Sequence, residues 1–441
     1  MNSSENHMRL TKVREDDHYG MREVIQVVRM VVGIAMTALC MSLIAMPVDA
    51  SDFTLEIFGN ANMDDTIDEL DIEYVQGIID GTNDETGLSD ANQDGKVDQS
   101  DIDRVKEIIE GTESELYYID CIGDVKRVKQ PLEKIIIIYD NTAEIIRILG
   151  AEDRVVGIDT EEFQGAIGKY PQYFPEFQQM PSIGTRSDCD AEMILELNPD
   201  AIISGVSAGC PEIEEKLKDT DIEIVRLTTW SKGVPSLMIL AYMLDEVDNA
   251  KKYREWQNGY LDMVRDRVAS IPLDERPRVF VDRPGGTTVT RGSGYSEAIE
   301  TAGGINIAAD LIGSSQNTLP AVDTEWVLEQ NPDVIIGLSW DGGYEVDDIE
   351  VLKTRYDQIL ETPGFGDTNA GKNNEVYVTY FINTLGPGDH IGVLYFAKWL
   401  YPDLFQDLDP QAVHQEYIDK FQNVDYDLEE HGVFVYPNYD S

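Results

Sequence analysis

After position 130, the hydrophobic residues of this chain form short continuous runs that alternate with stretches of helical period. Residues 135–139 are a continuous apolar run, mostly isoleucine, of the kind that is buried on both faces of a parallel sheet. Residues 143–149 follow a helical pattern that stops at Gly150, and residues 155–158 form a second apolar run. Strands and helices that alternate in this way predict an α/β fold.

One helix–strand unit occurs twice. Residues 191–204 (AEMILELNPDAIIS) return as residues 324–337 (TEWVLEQNPDVIIG). In each copy, the proline of Asn-Pro-Asp separates a helix from a buried strand. The preceding helices also correspond, since residues 144–150 and 297–303 both end in glycine. The repeat predicts two equivalent Rossmann-like lobes.

The segment between the two copies has a different pattern. Apolar residues recur near a 3.6-residue period across residues 236–270, with no internal proline in the helical stretch. We predict one backbone helix here, about 35 residues and roughly 50 Å long. It would join an N-terminal lobe, residues 113–235, to a C-terminal lobe, residues 271–441, and would limit hinge motion between them.

A second repeat, with a spacing of thirty residues, precedes the lobes. Its later copy has the oxygen ligands of a calcium loop at the required spacing, with Gly95 at the sharp turn. These ligands are Asp90, Asn92, Asp94, the carbonyl of Lys96, Asp98 and Asp101. In the earlier copy Asp65 replaces the glycine, which predicts a weaker site; its ligands are Asn60, Asn62, Asp64, Thr66, Asp68 and Asp71. Acidic turns without metal are the alternative interpretation.

Each loop precedes a helix that keeps Ile and Val on one face and stops at glycine. Position 12 of each loop is Asp rather than the longer Glu of calcium sensors. This pattern resembles the type I dockerin module over residues 59–111. The resemblance implies a small all-α, Ca²⁺-binding dockerin-like module, residues 52–112, and a cohesin-like protein as its surface partner. Alternatively, Ca²⁺ serves only to fold the module.

The chain is strongly acidic, with a formal net charge of -50. Such a surface repels phosphate backbones, so it argues against nucleic-acid binding, and it suits Ca²⁺, a saline medium or a place outside the cell. Basic residues before an apolar run at 30–46, then small residues up to Ala50, follow the order of a secretory signal. We interpret residues 1–50 as a signal peptide or an uncleaved membrane anchor of a secreted or cell-surface protein.

Over about residues 116–425 the chain resembles the helical-backbone (cluster A, class III) substrate-binding proteins of ABC importers. The resemblance depends on the order of several short motifs: Tyr118-Ile-Asp-Cys-Ile-Gly123, residues 149–159, Ile183-Gly184, both Glu-x-x-Leu-x-x-Asn-Pro-Asp stretches, and residues 300–306. It implies a receptor that passes an iron-siderophore-type metal complex to a permease dimer. Cobalamin, haem and molybdate or tungstate are the alternatives within the family. A dockerin-bearing surface-interaction protein is the alternative outside it.

The family resemblance implies that Glu192 and Glu325, at the start of equivalent helices, pair with arginines of the two permease subunits. The other interpretation is a favourable charge in the first helical turn. Ligand contacts are expected from loops beyond the strand ends. The candidates are Tyr139, Asn141, Arg186, Trp230, Arg291, Tyr295, Trp340, Tyr380 and His390. Rings and arginines suit an anionic organic chelate, and His390 suits a haem iron or a bare metal.

An enzyme is the remaining class to weigh. The sequence contains no Gly-x-Ser-x-Gly elbow, no phosphate-binding Gly-Lys-Ser/Thr loop and no His-Glu-x-x-His. A glycosidase is the natural rival, because dockerins accompany secreted hydrolases and the paired carboxylates that it needs are abundant in so acidic a chain. The ordered family motifs favour a binding protein without catalytic residues.

Overall fold

The computed structural model describes residues 53–160, 172–185, 188–205, 211–229, 233–311, 319–381 and 385–437. The predicted signal or anchor lies outside this part of the chain, and so do Arg186 and Trp230. The described residues from Thr54 onward belong to one compact unit. Within the ranges given above, we find no helix that combines the length and the apolar character needed to cross a bilayer.

The thirty-residue repeat forms two matching loop–helix units. Helix α1 (Glu69–Ile79) follows the first loop and helix α2 (Gln99–Glu110) follows the second. Asp68 and Asp98 cap these helices, and the main-chain amide of each cap donates in return to the carboxylate three positions further on. The two units share a small apolar core, formed by Ala61, Val75 and Ile102.

A β-hairpin links this region to the lobes. Strands β1 (Glu115–Ile119) and β2 (Val125–Lys129) pair in antiparallel fashion. Ile57, which precedes the first loop, forms an antiparallel bridge with Tyr118 of β1. The thirty-residue repeat is therefore attached to the hairpin by main-chain hydrogen bonds as well as by the covalent chain.

The N-terminal lobe contains a four-stranded parallel sheet. Its elements are β3 (Ile135–Ile137), α3 (Asp140–Leu149), β4 (Val155–Ile158), a small antiparallel pair β5 (Gly184–Thr185) and β6 (Asp188–Cys189), α4 (Ala191–Leu197), β7 (Ala201–Ser204), α5 (Pro211–Leu217) and β8 (Glu223–Arg226). The strand order is β4-β3-β7-β8. The isoleucines of β3 are fully buried, as the continuous apolar run predicts.

The backbone segment is two helices and not one, which corrects our prediction. Helix α6 (Gly233–Met243) ends before Asp245, whose φ is 55°, and α7 (Val247–Val268) begins two residues later. The amide of Glu246 donates to the carbonyl of Ala241 and closes the end of α6. The longer helix, α7, has 22 residues and is therefore about 33 Å long.

The C-terminal lobe repeats the architecture of the first. Its elements are β9 (Arg278–Asp282), α8 (Tyr295–Thr301), β10 (Ile305–Asn306), α9 (Thr324–Gln330), β11 (Val334–Ser339), α10 (Glu350–Leu360), α11 (Asn369–Asn373), β12 (Val376–Tyr380), α12 (His390–Leu400), α13 (Pro410–Tyr417) and β13 (Val435–Tyr436). The strand order is β10-β9-β11-β12-β13. The first four strands are parallel and correspond in order to β4-β3-β7-β8, and β13 pairs antiparallel with β12.

The two copies of the helix–strand unit agree in detail. Asp190 caps α4 and Asp323 caps α9 through side-chain hydrogen bonds. Asn198 and Asn331 end the same helices in left-handed conformations, with φ of 49° and 46°. Asparagine tolerates this region better than most residues, so the Asn-Pro-Asp turn has one structural role in both lobes. The predicted repeat is confirmed.

The C-terminal segment touches both lobes. After α13, a π-helical turn (Ile418–Gln422) packs on α3 of the N-terminal lobe, where Gln422 Nε2 lies 3.3 Å from the carbonyl oxygen of Glu144. The chain then returns to the C-terminal lobe and forms β13. This segment is therefore a second connection between the lobes, besides α6 and α7.

Candidate ligand-binding site

A cavity of about 30 Å³ lies where both lobes and the C-terminal segment meet. Asp140 and Asn141 line it from the start of α3, shortly after β3. Tyr380, the last residue of β12, lines it from the other lobe. The other wall residues include Glu144, Tyr173, Phe174, Tyr344, His414, Tyr417 and Phe434. This space admits a small ion with water, and pockets that enclose organic ligands measure roughly 300–1,000 Å³. The cavity is therefore too small, as it stands, to enclose an organic solute.

Four side chains of the wall form a connected series of hydrogen bonds and ring contacts. The Tyr173 hydroxyl donates to Glu144 Oε1 at 3.0 Å, and the Tyr344 hydroxyl lies 2.8 Å from His414 Nε2. The rings of Tyr173 and Tyr344 stack with centroids 3.6 Å apart. Tyr173 belongs to the N-terminal lobe and Tyr344 to the C-terminal lobe, so this series, the inner cluster, joins the two lobes.

Burial controls the charge of the inner cluster. It raises the pKa of Glu144 to about 8 and lowers the pKa of His414 to about 3. At neutral pH the carboxyl group therefore keeps its proton and the imidazole is neutral. The ionisable groups of the inner cluster are uncharged in this state of the protein.

Arg147 fixes the position of Tyr173. Its guanidinium forms a bidentate ion pair with Glu176, with both N–O distances 2.7 Å, and donates to the Tyr173 carbonyl at 2.6 Å. The same group lies 5.3 Å from the centroid of the Tyr173 ring and 4.6 Å from that of Phe174. These contacts hold both rings against the cavity.

An outer aromatic surface lies at the carboxyl ends of the C-terminal strands. Trp340 follows β11 and is 45% exposed. The guanidinium of Arg283, directly after β9, lies 4.7 Å from the centroid of the Trp340 ring, and Phe381 packs at 4.6 Å. The guanidinium of Arg283 has five N–H donors, and its Nη1 donates a hydrogen bond to Thr287 Oγ1 at 3.2 Å. A flat ring beside a guanidinium suits an anionic ligand that has an organic scaffold.

The structure places four of the predicted ligand residues at or behind these two surfaces and a fifth, Tyr139, against the core of the N-terminal lobe. Asn141 and Tyr380 line the cavity, and Trp340 forms the outer aromatic surface. Tyr139 precedes α3 and packs against the core of the N-terminal lobe. The Tyr295 hydroxyl donates to the carbonyl of Phe381 at 2.6 Å, so Tyr295 supports the outer surface from below.

Two further predicted residues lie elsewhere. Arg291 forms ion pairs on the protein surface with Glu300 at 2.9 Å and Asp310 at 3.2 Å. It is not in the cavity wall, because the loop before α8 turns it outward. His390 is fully buried behind the wall. Neither position supports the predicted contact with a ligand.

His390 is enclosed by aromatic rings. The rings of Trp256, Tyr253 and Tyr417 surround it with centroids 4.9 to 6.3 Å away. Gln257 Nε2 lies 3.4 Å from His390 Nδ1 and also donates to Asp389. Burial, and secondarily the charge of His414, lowers the pKa of His390 to about 3. The imidazole is therefore neutral in the folded chain.

This burial predicts an acid-sensitive contribution to stability. In the unfolded chain His390 takes up a proton near pH 6.5, whereas in the fold it does not until about pH 3, so its stabilisation is complete above pH 6.5 and is lost as the pH falls. Between pH 7 and pH 5 the loss is about 2 kcal/mol. We expect His390→Gln to remove that part of the pH dependence in urea unfolding. His431→Gln, at a partly exposed imidazole, is the control; equal pH slopes in both variants contradict the prediction.

The two predicted calcium loops have the same internal hydrogen bonds. In the first loop, Asn62 Oδ1 accepts from the Asp64 amide at 3.0 Å, and Asp71 accepts from the Asn62 and Asp68 amides. The second loop repeats these bonds with Asn92, Asp94, Asp98 and Asp101. Burial raises the pKa of Asp71 to about 7. A bound cation would compensate such a buried carboxylate.

The residues present fit a cation in the first loop. Asn60 is fully buried, and its Oδ1 has no hydrogen-bond partner among the described residues. Over the described ranges, no three or more His, Cys, Asp and Glu side chains are grouped to hold a metal ion. Several donors of the first loop are of other kinds, namely the side chains of Asn60, Asn62 and Thr66 and main-chain oxygens. Groups of His, Cys, Asp and Glu side chains do not include them. Calcium binding stays a prediction.

The first loop packs against the backbone helices. The Tyr242 hydroxyl of α6 accepts from the Ile67 amide at 2.9 Å and lies 3.4 Å from Thr66 Oγ1. Asp65, the residue in place of glycine, lies 3.4 Å from the Arg254 guanidinium of α7. The departure from the loop pattern at Asp65 thus has a structural reason, because this carboxylate forms an ion pair with Arg254 of α7.

Glu192 and Glu325 occupy equivalent places. Each is the exposed second residue of a seven-residue helix, α4 or α9. The capping carboxylates are Asp190 and Asp323, so neither glutamate is needed as the helix cap. Their exposure is compatible with permease docking and with a favourable charge in the first helical turn, so docking stays a prediction.

Two equivalent α/β lobes that meet over a cleft define a solute-binding protein, and the chain belongs to the periplasmic binding protein family. The model of that family matches residues 135–381, more than half of the chain. The chain is a substrate-binding protein of the ABC-importer class, and the names of its relatives are those of binding proteins and not of enzymes. The family match does not include the calcium loops.

Relatives of this chain are named for different ligands. The chain is 24% identical over 328 residues to the molybdate-binding protein MolA of Haemophilus influenzae, covering 67% of this chain and 87% of MolA. It is 26% identical over 219 residues to a cobalamin-binding protein of Halobacterium salinarum, covering 47% and 55%. The solved TroA-like protein FepB of Veillonella parvula superposes with a TM-score of 0.56 at 22% identity, covering 72% and 98%. This structural likeness shows the fold.

The inner cluster and Arg283 were not predicted. Arg283 directly follows a strand, so its position was a usable signal, but the prediction fell on the more distant Arg291. Tyr173, Tyr344 and His414 lie in loops and in α13, away from any strand end. Their meeting depends on how the two lobes and the C-terminal segment pack, and no local pattern encodes it.

Proposed function

We propose that the chain is the extracytoplasmic receptor of an ABC importer, and that it captures an iron-siderophore-type metal complex and delivers it to a permease dimer. The observation that carries this proposal is the cleft itself, which has an aromatic wall from both lobes and an outer surface of Trp340 and Arg283. An anionic chelate would meet the guanidinium with its carboxylates and the rings with its scaffold.

Molybdate is the second candidate. The similarity to MolA supports it, and the cavity of about 30 Å³ has the size of a small ion. Arg147 Nη1, which is buried with no hydrogen-bond partner among the described residues, supports an anion near the wall. Cobalamin, haem and tungstate complete the range of solutes proposed for this class, and the similarity to the cobalamin-binding protein supports the first of them.

Thermal unfolding of the purified chain, in Ca²⁺, tests the proposal against a ferric siderophore, cobalamin, haem and molybdate. A ligand at 100 times its Kd that binds only the native state adds about 2.7 kcal/mol to stability. One clear rise in the midpoint identifies the solute class. No rise with any of the four contradicts the transport function as proposed.

A substitution that removes one positive charge tests the outer surface. We expect Arg283→Gln to weaken binding of an anionic ferric chelate at least tenfold, because it removes a charge-assisted contact worth about 1.5–3 kcal/mol. Arg291→Gln is the matched control, since its guanidinium is paired with Glu300 and Asp310 on the surface. Isothermal titration of both variants decides the point; equal weakening in the two would place the ligand elsewhere.

The calcium loops belong to the same proposal. Ca²⁺ would be held by the oxygen donors of both loops, and the acidic protein would act at the cell surface or as a secreted receptor. If residues 1–50 are not cleaved off as a signal peptide, they would anchor the protein in the membrane. A cohesin-like protein is the proposed partner of the dockerin-like module; the shared hydrogen bonds of the two loops support the module assignment.

A further inference from the structure

A largely buried turn, residues 385–389, forms part of the cavity wall and touches both lobes. Leu385 and Gly388 line the cavity. Gly386, with a φ of 71°, lies so close to α3 that a Cβ atom at this position would be 2.5 Å from Asn141 Nδ2. The turn belongs to the C-terminal lobe and packs on the N-terminal lobe, so a shift of the turn changes the shape of the cavity.

Helix α7 holds this turn through Gln257, which is fully buried. Gln257 Nε2 donates to the Pro387 carbonyl at 3.3 Å and to Asp389 Oδ1 at 3.1 Å. The Tyr253 hydroxyl, also from α7, donates to the same carbonyl. Because both partners of Gln257 in the turn are acceptors, the amide holds the turn only with its nitrogen end facing it.

Arg254 determines which end of the Gln257 amide faces the turn. Arg254 Nη1 donates to Gln257 Oε1 at 3.2 Å. A guanidinium has donors only, so it binds the oxygen end of the amide and leaves the nitrogen end for the turn. A reversed amide would set its oxygen against the Pro387 carbonyl and the Asp389 carboxylate. The orientation of this buried amide therefore depends on the position of the Arg254 guanidinium.

The first predicted calcium loop, residues 60–71, contacts Arg254 from the other side. Arg254 Nη2 lies 3.4 Å from Oδ2 of Asp65, the residue in place of the loop glycine. Both neighbours of Asp65 in the chain, Asp64 and Thr66, are predicted ligands of the cation, so a bound ion would hold this part of the loop in place. A series of polar contacts thus leads from the loop through Arg254 and Gln257 to the cavity wall.

We propose that Ca²⁺ in the first loop regulates the cleft, and that Arg254 and Gln257 transmit the effect to the turn at residues 385–389. With Ca²⁺ bound, the ordered loop keeps Arg254 against Gln257, and Gln257 keeps the turn in place. Without Ca²⁺, Asp65 moves with the loop and the turn is held less firmly. The proposal rests on Ca²⁺ binding at this loop and, for its effect on the solute, on the proposed transport function.

The regulation has a reciprocal consequence for the two ligands. If Ca²⁺ stabilises the position of the turn that the solute requires, it raises the affinity for the solute, and the solute raises the affinity for Ca²⁺ by the same factor. Couplings of this kind typically change affinity by about 5- to 150-fold. The receptor would then hold its solute firmly only where Ca²⁺ is available.

Hydrogen exchange of the full chain, with and without Ca²⁺ and with no solute present, tests the proposal. In the wild type we expect Ca²⁺ to slow exchange of the main-chain amides at residues 60–71 and, by about fivefold, at residues 385–391. Gln257→Met keeps the length of the side chain and removes the amide, and Arg254→Gln removes the guanidinium that orients it. In both variants Ca²⁺ should still protect residues 60–71 but no longer protect residues 385–391.

A third variant is the matched control. Arg265 is also in α7, and its ion pair with Asp262 of the same helix lies on the exposed surface. Arg265→Gln should leave the effect of Ca²⁺ on both segments as it is in the wild type. Thermal unfolding without Ca²⁺ shows whether each variant is folded. Arg254→Gln decides the question alone if Gln257→Met does not fold, because Arg254 lies at the edge of the interface.

Three results would overturn the proposed regulation. These are protection of residues 60–71 alone in the wild type, protection of neither segment, and a response at residues 385–391 that survives in a folded Gln257→Met or Arg254→Gln variant. None of them affects the transport proposal, because the measurement contains no solute. The converse also holds, since a failed search for the solute leaves the exchange result valid.

Discussion

Removal of Ca²⁺ is expected to lower the unfolding midpoint of the whole chain, and not only that of the dockerin-like module. The first loop contacts both backbone helices, through Tyr242 of α6 and Arg254 of α7. Stability lost from the loop is therefore transmitted to the connection between the lobes. A site saturated at 100 times its Kd contributes about 2.7 kcal/mol. Differential scanning calorimetry with and without a calcium chelator measures the effect.

Variants at the contact between the first loop and the backbone helices test whether Ca²⁺ stabilises the lobes through that contact. Tyr242→Phe removes the hydroxyl that accepts from the Ile67 amide, and Arg254→Gln removes the partner of Asp65. In the double variant, chelation should shift an early transition of the module and leave the transition of the lobes in place. If chelation leaves the lobe transition of the wild type unchanged as well, the loop has no such influence.

Loss of both lobe glutamates is expected to abolish delivery of the solute without changing its capture. Glu192 and Glu325 are exposed and equivalent, and charge-assisted pairs at an interface carry about 2–5 kcal/mol each when one partner is truncated. Glu192→Ala with Glu325→Ala should therefore lower uptake by more than tenfold in vesicles that contain the permease. The Kd for the solute should stay the same, because neither residue lies in the cavity wall.

The same helices offer a matched control. Glu196 and Glu329 are also exposed, one turn further along α4 and α9. Their double alanine variant changes the net charge by the same amount. If it reduces uptake as much as the first pair does, general electrostatic attraction between receptor and permease explains the result, and specific docking by Glu192 and Glu325 is wrong.

Elements fixed by local chemistry were predictable from the sequence. The two Asn-Pro-Asp turns place Asn198 and Asn331 in the same left-handed conformation, and the apolar run at β3 identified a buried strand. The backbone segment shows where this approach fails. Its helical period continues through residues 244–246, but the left-handed Asp245 ends α6. A hydrophobic period reports which face is buried and not whether the main chain is continuous.

Only part of the binding site was predictable, because a local sequence pattern does not record contacts between distant residues. Asn141 and Tyr380 adjoin strands whose ends meet at the cleft, so sequence position located them. The inner cluster depends on contacts between residues far apart in the chain, such as Tyr173 with Tyr344 and Tyr344 with His414. Such contacts follow from tertiary packing, which the spacing of residues along the chain does not record.

The return of the C-terminal segment constrains how the cleft can open. Two bodies joined at separate places rotate easily only about the line through those places. Here α6 and α7 form one joint, and the contact of Gln422 with α3 before β13 forms the other. We therefore expect the lobes to rock mainly about one axis, and the entrance to widen on the side far from it. Solutes would be sorted by their thickness at that entrance, before any side chain tests their chemistry.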